Sequence, residues 1–112
     1  MNKVILLGNV GKDPQMRFVE KRPIASFPLA TTEPARRAPN GAEIPERTEW
    51  HNIVMTGEKA QIAERYIRKG SRLYIEGHLR TREYEDKLKI KRRRTEIMVD
   101  SFEMLGRSDK TQ

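Results

Sequence analysis

The sequence predicts an all-β domain, a five-stranded antiparallel barrel with one α-helix between strands 3 and 4. Five segments have the apolar or alternating pattern of strands, and one segment between the third and fourth repeats its apolar residues at helical spacing. A chain of 112 residues has room for one domain with one core. A second helical period, which a ferredoxin-like fold would need, is absent from the sequence.

The first strand is assigned to residues 2–10, an apolar stretch that Gly8 interrupts. Glycine within a strand marks a bulge or tight bend, which a strongly coiled small barrel requires. Asp13-Pro14 predicts a turn, and residues 15–19 are expected to continue the strand beyond this bend.

The second and third strands are assigned to residues 24–32 and 48–56. Alternation puts Phe27 and Leu29 on one face of the second strand and Pro28 on the other. Since proline has no N–H donor, Pro28 is expected at an edge or a bulge. Between these strands, residues 33–46 contain three prolines and an Asn-Gly pair, which predicts a long exposed loop.

Residues 58–69 are predicted as the helix, and Gly70 is expected to end it. One helix face carries the apolar residues Ile62, Ala63, Tyr66 and Ile67. We expect this face, including Tyr66, to pack in the core. Residues 71–81 and 94–102 complete the strands, with a basic ribbon and loop between them. Three strands, one helix and two strands are the arrangement of the OB-fold.

The composition argues against several classes of function. The chain has no cysteine, which excludes a disulfide scaffold, a thiolate metal site and a cysteine nucleophile. Neither of its two histidines has an acidic or histidine partner at metal-ligand spacing, so we expect no enzyme, catalytic residue, metal or cofactor. The longest apolar run is four residues and no signal peptide is recognisable, so we expect an intracellular protein with no membrane partner.

The net charge of +7 is concentrated in residues 79–94, which hold eight basic and three acidic residues. A concentrated basic stretch on a small domain indicates a polyanionic partner, most commonly nucleic acid. A solvated, charge-rich hairpin is the alternative interpretation. Within this segment Lys87, Lys89 and Lys91 alternate, so on a strand they would share one face and could follow one phosphate backbone.

Proteins that bind single strands regardless of sequence combine a positive groove with aromatic rings on which bases stack. Tyr84 lies inside the basic segment between two glutamates, which favours an exposed, stacking ring. Trp50 is either exposed for stacking or buried with a partner for its indole N–H, and its surroundings in the sequence leave both open.

Five motifs occur in order along the chain: NKVILLGNVGKDP at residues 2–14, TEWH at 48–51, YIRKGS at 66–71, YIEG at 74–77 and LRTR at 79–82. With these motifs the chain closely resembles the DNA-binding domain of bacterial single-stranded DNA-binding proteins. The resemblance implies an OB-fold domain over residues 1–106 and a short flexible C-terminus over 107–112. It also implies a cytoplasmic, nucleoid-associated homotetramer that wraps single-stranded DNA during replication, recombination and repair.

The resemblance implies roles for individual residues. Trp50 and Tyr84 would stack on bases, and His51 would lie near the subunit interface. Basic positions along the implied DNA path are Lys3, Lys69, Arg80, Arg82 and Arg92. Two further aromatic positions of the family hold Arg36 and Thr56 here. The guanidinium of Arg36 can stack on a base and Thr56 cannot, so this chain is expected to depend more on charge than its relatives.

The resemblance stops short of the acidic, apolar-tipped C-terminal peptide with which the family recruits replication and repair proteins, because the sequence ends at Gln112 without one. Replication and repair proteins stay possible partners, and the sequence leaves open whether the missing peptide is a natural feature or the result of trimming. Two other functions stay open. The loss of a ring at Thr56 favours a dimeric, tail-less OB-fold primosome adaptor, and the basic ribbon would equally serve an RNA-binding OB module.

Overall fold

Residues 1–107 are the part of the chain that the computed structural model describes, and they form eight strands and one helix. In chain order the elements are β1 (Val4–Val10), β2 (Gln15–Val19), β3 (Arg22–Glu33), β4 (Arg36–Arg37), β5 (Glu43–Ile44), β6 (Arg47–Thr56), α1 (Glu58–Tyr66), β7 (Ser71–Glu85) and β8 (Lys91–Arg107). Residues 108–112, most of the predicted flexible C-terminus, lie outside the described residues.

The strands close into a five-stranded barrel. β1 and β2 both pair with β3 and act as the two arms of one bent strand, as the Asp13-Pro14 turn predicts. The sheet order β1-β7-β8-β6-β3-β2 is closed by an additional pairing between β1 and β3. Counted along the barrel, α1 follows the third strand, β6, and precedes the fourth, β7. The prediction of an OB-fold is confirmed.

One strand pair departs from the antiparallel arrangement that the sequence predicted: β6 and β8 pair in parallel, with Ile53 opposite Ile97. Strand directions cannot alternate all the way round a ring with an odd number of strands. A closed five-stranded barrel therefore requires one parallel neighbour, and here it is the pairing of β6 with β8.

The pairing divides the barrel into two halves. In one half β7 and β8 form the longest ladder, from Ser71 opposite Arg107 to Glu85 opposite Lys91, and β1 lies beside β7. In the other half β3 pairs with β6 at ten positions and with β2. Two short seams join the halves, one between β1 and β3 and one between β6 and β8, and each has two register pairs.

The core fills the barrel interior with residues from both halves. Alternation along β3 buries Ala25, Phe27 and Leu29, as expected for one face of this strand. These side chains meet Leu73 and Ile75 of β7 within a single buried cluster. The helix contributes Ala60 and Ala63 to the same cluster.

The helix ends earlier than predicted, and Tyr66 is not a core residue. Ile67 follows in extended conformation, with φ −87° and ψ 130°, while its N–H still donates to the Ala63 carbonyl. Ile67, four residues after the buried Ala63, is buried in the core, whereas Tyr66 and Ile62 of the predicted core face are exposed. Gly70, with φ 92°, therefore does not end the helix but turns the chain into β7.

Pro28 lies in the interior of the sheet rather than at an edge. β3 is flanked by β6 on one side and by β1 and β2 on the other. The Pro28 carbonyl accepts from the Gly11 N–H at 2.9 Å, so the Pro28 nitrogen also faces that side. The β2 ladder ends at Ser26 and the β1 ladder begins at Leu29, so the missing donor coincides with the break between the two arms.

Candidate nucleic-acid interface

One outer face of the barrel carries both aromatic residues singled out in the sequence. Alternation turns even-numbered residues outward in β6, at the end of β7 and at the start of β8, because the odd-numbered Ile53 and Ile97 are buried in the core. We call this surface the binding face and define it by Trp50, Asn52, Arg82, Tyr84, Arg94 and Glu96.

Trp50 is exposed on the binding face, with 59% of its surface accessible, which excludes the core alternative. The ring lies directly over Gly11: a Cβ atom at that glycine would be 2.5 Å from Cζ3 of the indole. One side of the ring thus rests on the bend between β1 and β2. The exposed remainder of the indole is available to an incoming base.

Tyr84 lies at the other end of the binding face and is also exposed. The guanidinium carbon of Arg82 is 5.6 Å from the centre of the Tyr84 ring, within the range of a cation–π contact. Arg80 precedes them on the same side of β7, opposite Glu96. Tyr84 therefore has the exposure and the basic surroundings that stacking on a nucleic-acid base requires.

A chain of polar contacts runs from Arg82, beside the Tyr84 ring, to Asn52, two residues along β6 from Trp50. Nε of Arg82 donates to Oε1 of Glu96 at 3.2 Å, and Nε of Arg94 lies 3.5 Å from Oε2 of the same carboxylate. Nη2 of Arg94 donates to Oδ1 of Asn52 at 3.2 Å, and the Asn52 amide donates to the backbone of β8. These contacts cross the seam between β6 and β8.

The surface between the rings is a shallow groove formed by two adjoining cavities. Both cavities are lined by Gln15, Ser26 and Arg94. Lys12 lines one of them and Arg17 the other, so β2 and the bend before it add two cations to the groove. The groove supplies positive charge on the face that also carries the two exposed rings, the combination that sequence-tolerant binding of a single strand requires.

Sequence reasoning missed several groove residues. Arg94 belongs to the basic run, and pairing the predicted ribbon would have put it opposite Arg82. Lys12 and Arg17 lie far from the basic segment in sequence and reach the groove through the fold. Asn52 contacts Arg94 across 42 positions of sequence, and no local pattern signals such a contact.

The expectation that Lys87, Lys89 and Lys91 share one face of a strand is wrong. Residues 86–90 form the turn of the β7–β8 hairpin, and Lys89 has a positive φ of 62°. Only Lys91 of the three lies in a strand, where it pairs with Glu85. Lys87 and Lys89 are exposed in the turn and have no common alignment with a strand.

Asp86 determines the shape of this turn. Its Oδ1 accepts from the N–H groups of Leu88 and Ile90, at 2.9 and 3.0 Å. Its Oδ2 accepts from Nε of Arg92 at 2.9 Å, so this predicted DNA-path arginine is paired with a carboxylate. The Ile90 N–H, together with Arg92, holds the pKa of Asp86 below its usual range.

Of the three remaining predicted residues, one lies beside the groove and two lie away from it. Nζ of Lys3 lies 3.3 Å from Oε1 of Glu76. Glu76 precedes Arg82 by six residues along β7, so at the rise of a strand Lys3 lies about 20 Å from the arginines of the binding face. A hydrogen bond from the Tyr74 hydroxyl, followed by the contact with Lys3, holds the pKa of Glu76 below its ordinary value. Lys69 donates its backbone N–H to Asp13, which lines the groove. Arg36 lies in the separate β4–β5 sheet, where residues 33–46 were expected to be loop throughout.

The two histidines lie outside the binding face. Nε2 of His51, whose expected role is at a subunit interface, is 2.8 Å from the Thr31 hydroxyl. Nδ1 of His78 is 3.2 Å from Asp100, a partner that sequence spacing did not reveal.

Residues 1–107 contain no cluster of three or more potential metal ligands. Within the same range, the structure has no helix of the length and apolarity needed to cross a membrane.

The fold is that of an OB-fold domain. Residues 1–105 match the family model of the Single-strand binding protein family, and the chain belongs to that family. It is 51% identical over 107 residues to a single-stranded DNA-binding protein of Bacteroides thetaiotaomicron. That match covers 95% of this chain and 66% of the relative, so the chain spans a little under two thirds of the relative's length.

Among solved structures, the chain is similar to the Plasmodium falciparum SSB complex with ssDNA. The TM-score is 0.83 and the sequence identity 32%, over 94% of this chain and 95% of that chain. The shared architecture therefore extends over almost the whole length of both chains.

Proposed function

We propose that this protein binds single-stranded DNA without sequence specificity and protects it during DNA replication, recombination and repair. The observation that carries the proposal is the binding face, where two exposed rings flank a groove that contains arginine guanidinium groups. A ring accepts any base because every base has a π-face, and cations follow the phosphates whatever the sequence. Membership of the single-strand binding protein family supports the same function.

Within the groove, Trp50 and Tyr84 stack on bases, and Arg80, Arg82 and Arg94 contact phosphates. Their exposure, their shared face and the separation of the rings by guanidinium groups support these roles. The basic residues of the hairpin, Lys87, Lys89, Lys91 and Arg92, add positive potential at one end of the path. Lys69, whose backbone N–H donates to Asp13 beside the groove, adds positive potential at the other end of the path. Such a DNA-coating protein acts in the cytoplasm, at the nucleoid.

The protein works as a homotetramer. β1 exposes Ile5 and Leu7 on its outer side, and it pairs with β3 only at Asn9 and Val10, so most of that edge carries no strand within residues 1–107. Uncovered edges and exposed apolar side chains are what pairing between identical subunits covers. The family resemblance adds His51 to the proposed subunit contacts.

A titration of the Trp50 fluorescence tests the binding. Oligo-dT, an RNA oligonucleotide and a DNA duplex of equal length are compared at the same salt concentration. We expect strong quenching and the tightest binding with oligo-dT, because bases within a duplex are not free to stack on the rings. Equal or tighter binding of RNA would favour an RNA-binding module. Weak binding to all three, with a dimer in sedimentation, would favour an adaptor that bridges other proteins.

A further inference from the structure

Glu96 is a carboxylate at the centre of the positive binding face. Its side chain is only 7% exposed, and both of its oxygens are paired with arginines. Pairing offsets the cost of burying a carboxylate. Even so, a negative charge in this position weakens the attraction of the face for phosphate, so pairing alone does not explain why the groove contains it.

The geometry of the two arginines gives the explanation. Arg82 and Arg94 are direct cross-strand neighbours, and like charges in that relation repel one another. Glu96 contacts each arginine through Nε, the inner nitrogen of the guanidinium. The outer nitrogens are therefore left to make other contacts, as Nη2 of Arg94 does with Asn52.

We propose that Glu96 is a positioning residue for the binding of single strands. It is too buried to contact DNA, and it holds the two guanidinium groups at a fixed separation between Tyr84 and Trp50. Their outer N–H groups then form a preorganised clamp for the phosphates of a strand that stacks on both rings. This inference rests on the proposed function, since it describes how the same groove binds DNA.

The test compares Glu96→Gln with Glu83→Gln, two variants that gain the same charge on the same hairpin. Glu83 pairs with Arg93, and both side chains are largely exposed and lie on the opposite face of the hairpin. If Glu96 only neutralises charge, both variants should bind oligo-dT equally well, and at least as tightly as the wild type.

If Glu96 positions the arginines, Glu96→Gln should bind about tenfold more weakly despite its added positive charge, the loss expected when charge-assisted hydrogen bonds are disrupted. Its slope of log K against log salt should fall by about 1, because phosphate contacts are lost. Glu83→Gln should show neither change. A role confined to folding would lower the melting temperature without changing the slope measured well below it.

Arg94→Lys decides the question if Glu96→Gln does not fold. It keeps the charge and leaves Glu96 paired with Arg82, but an ammonium lacks the fork that reaches Glu96 and Asn52 together. We expect the same loss of affinity as for Glu96→Gln. If either Glu96→Gln or Arg94→Lys folds and binds oligo-dT with wild-type affinity, the positioning role is overturned. Failure of the wild type itself to bind oligo-dT would instead overturn the proposed function.

Discussion

At the scale of single residues, the proposed stacking of bases can be tested at the exposed indole of Trp50. We predict that Trp50→Ala weakens the binding of oligo-dT by about 1–3 kcal/mol, the contribution of one stacked base. Since the ring lies on the surface, the fold should survive, and circular dichroism should show unchanged strand content. Filter binding measures the affinity, because the variant lacks the only tryptophan.

Tyr66→Ala provides the matched control, because Tyr66 is as exposed as Trp50, at 58% against 59%, but lies at the end of α1. Its removal should leave the affinity unchanged. An equal loss of affinity in both variants would contradict stacking at Trp50.

Gly11 determines where the indole can lie. In Gly11→Ala the new methyl group would be 2.5 Å from Cζ3 of Trp50, so the ring must move. Since an exposed ring moves at little cost, we predict a small change in stability, a shifted tryptophan emission and weaker binding of oligo-dT. In a Trp50→Ala background the same substitution should no longer affect binding, which a double-mutant cycle measures. A persistent effect in that background would show that Gly11 acts by another route.

At the scale of elements, the β7–β8 hairpin depends on the Asp86 carboxylate. Its pKa lies below the ordinary value, so the charged form stabilises the folded turn. That stabilisation is present in full above the unfolded pKa and is lost as the pH falls through the lower, folded value. We predict that the amides of Leu88 and Ile90 lose protection from hydrogen exchange in the same acidic step in which Asp86 titrates by NMR.

Asp86→Asn serves as the control for the hairpin, because an amide oxygen can still accept from both N–H groups but cannot form the ion pair with Arg92. Its amide protection should not depend on the titration of this side chain. A titration midpoint for Asp86 at or above that of an unstructured peptide would contradict the prediction.

The strands were predictable because alternation reports burial directly: Ala25, Phe27 and Leu29 are the buried face of β3, as their spacing indicates. The end of the helix was not, because Tyr66 and Ile67 both fit the helical pattern of apolar residues, and that pattern does not mark where the backbone becomes extended. The alternating lysines predicted a strand, but the Asp86 carboxylate accepts from the N–H groups of Leu88 and Ile90 and so stabilises a turn there. The spacing of the lysines carries no information about these hydrogen bonds. Long-range contacts such as Asn52 with Arg94 depend on the closed barrel and leave no local signal.

At the scale of the whole molecule, we predict that the protein sediments as a tetramer and that Ile5→Asp with Leu7→Asp reduces its mass. Charges placed on the exposed side of β1 would be buried without partners in a subunit contact, which costs far more than it does on a free surface. Circular dichroism should show an intact fold, since neither side chain belongs to the core. Sedimentation at micromolar concentration measures the mass.

Leu88→Asp is the control for association, because this leucine is 76% exposed at the tip of the hairpin, away from β1. It should leave the mass unchanged. A wild type that is monomeric at micromolar concentration would overturn the tetramer altogether.

The two seams have a mechanical consequence. Trp50 belongs to the half of the barrel built on β3 and β6, and Tyr84 to the half built on β7 and β8. A nucleic-acid strand that stacks on both rings would therefore span the seam between β6 and β8, where only two register pairs join the strands. Nucleotides bound in this way would connect the two halves across that seam and oppose their separation. Single-stranded DNA bound to both rings would thus help to keep the barrel closed.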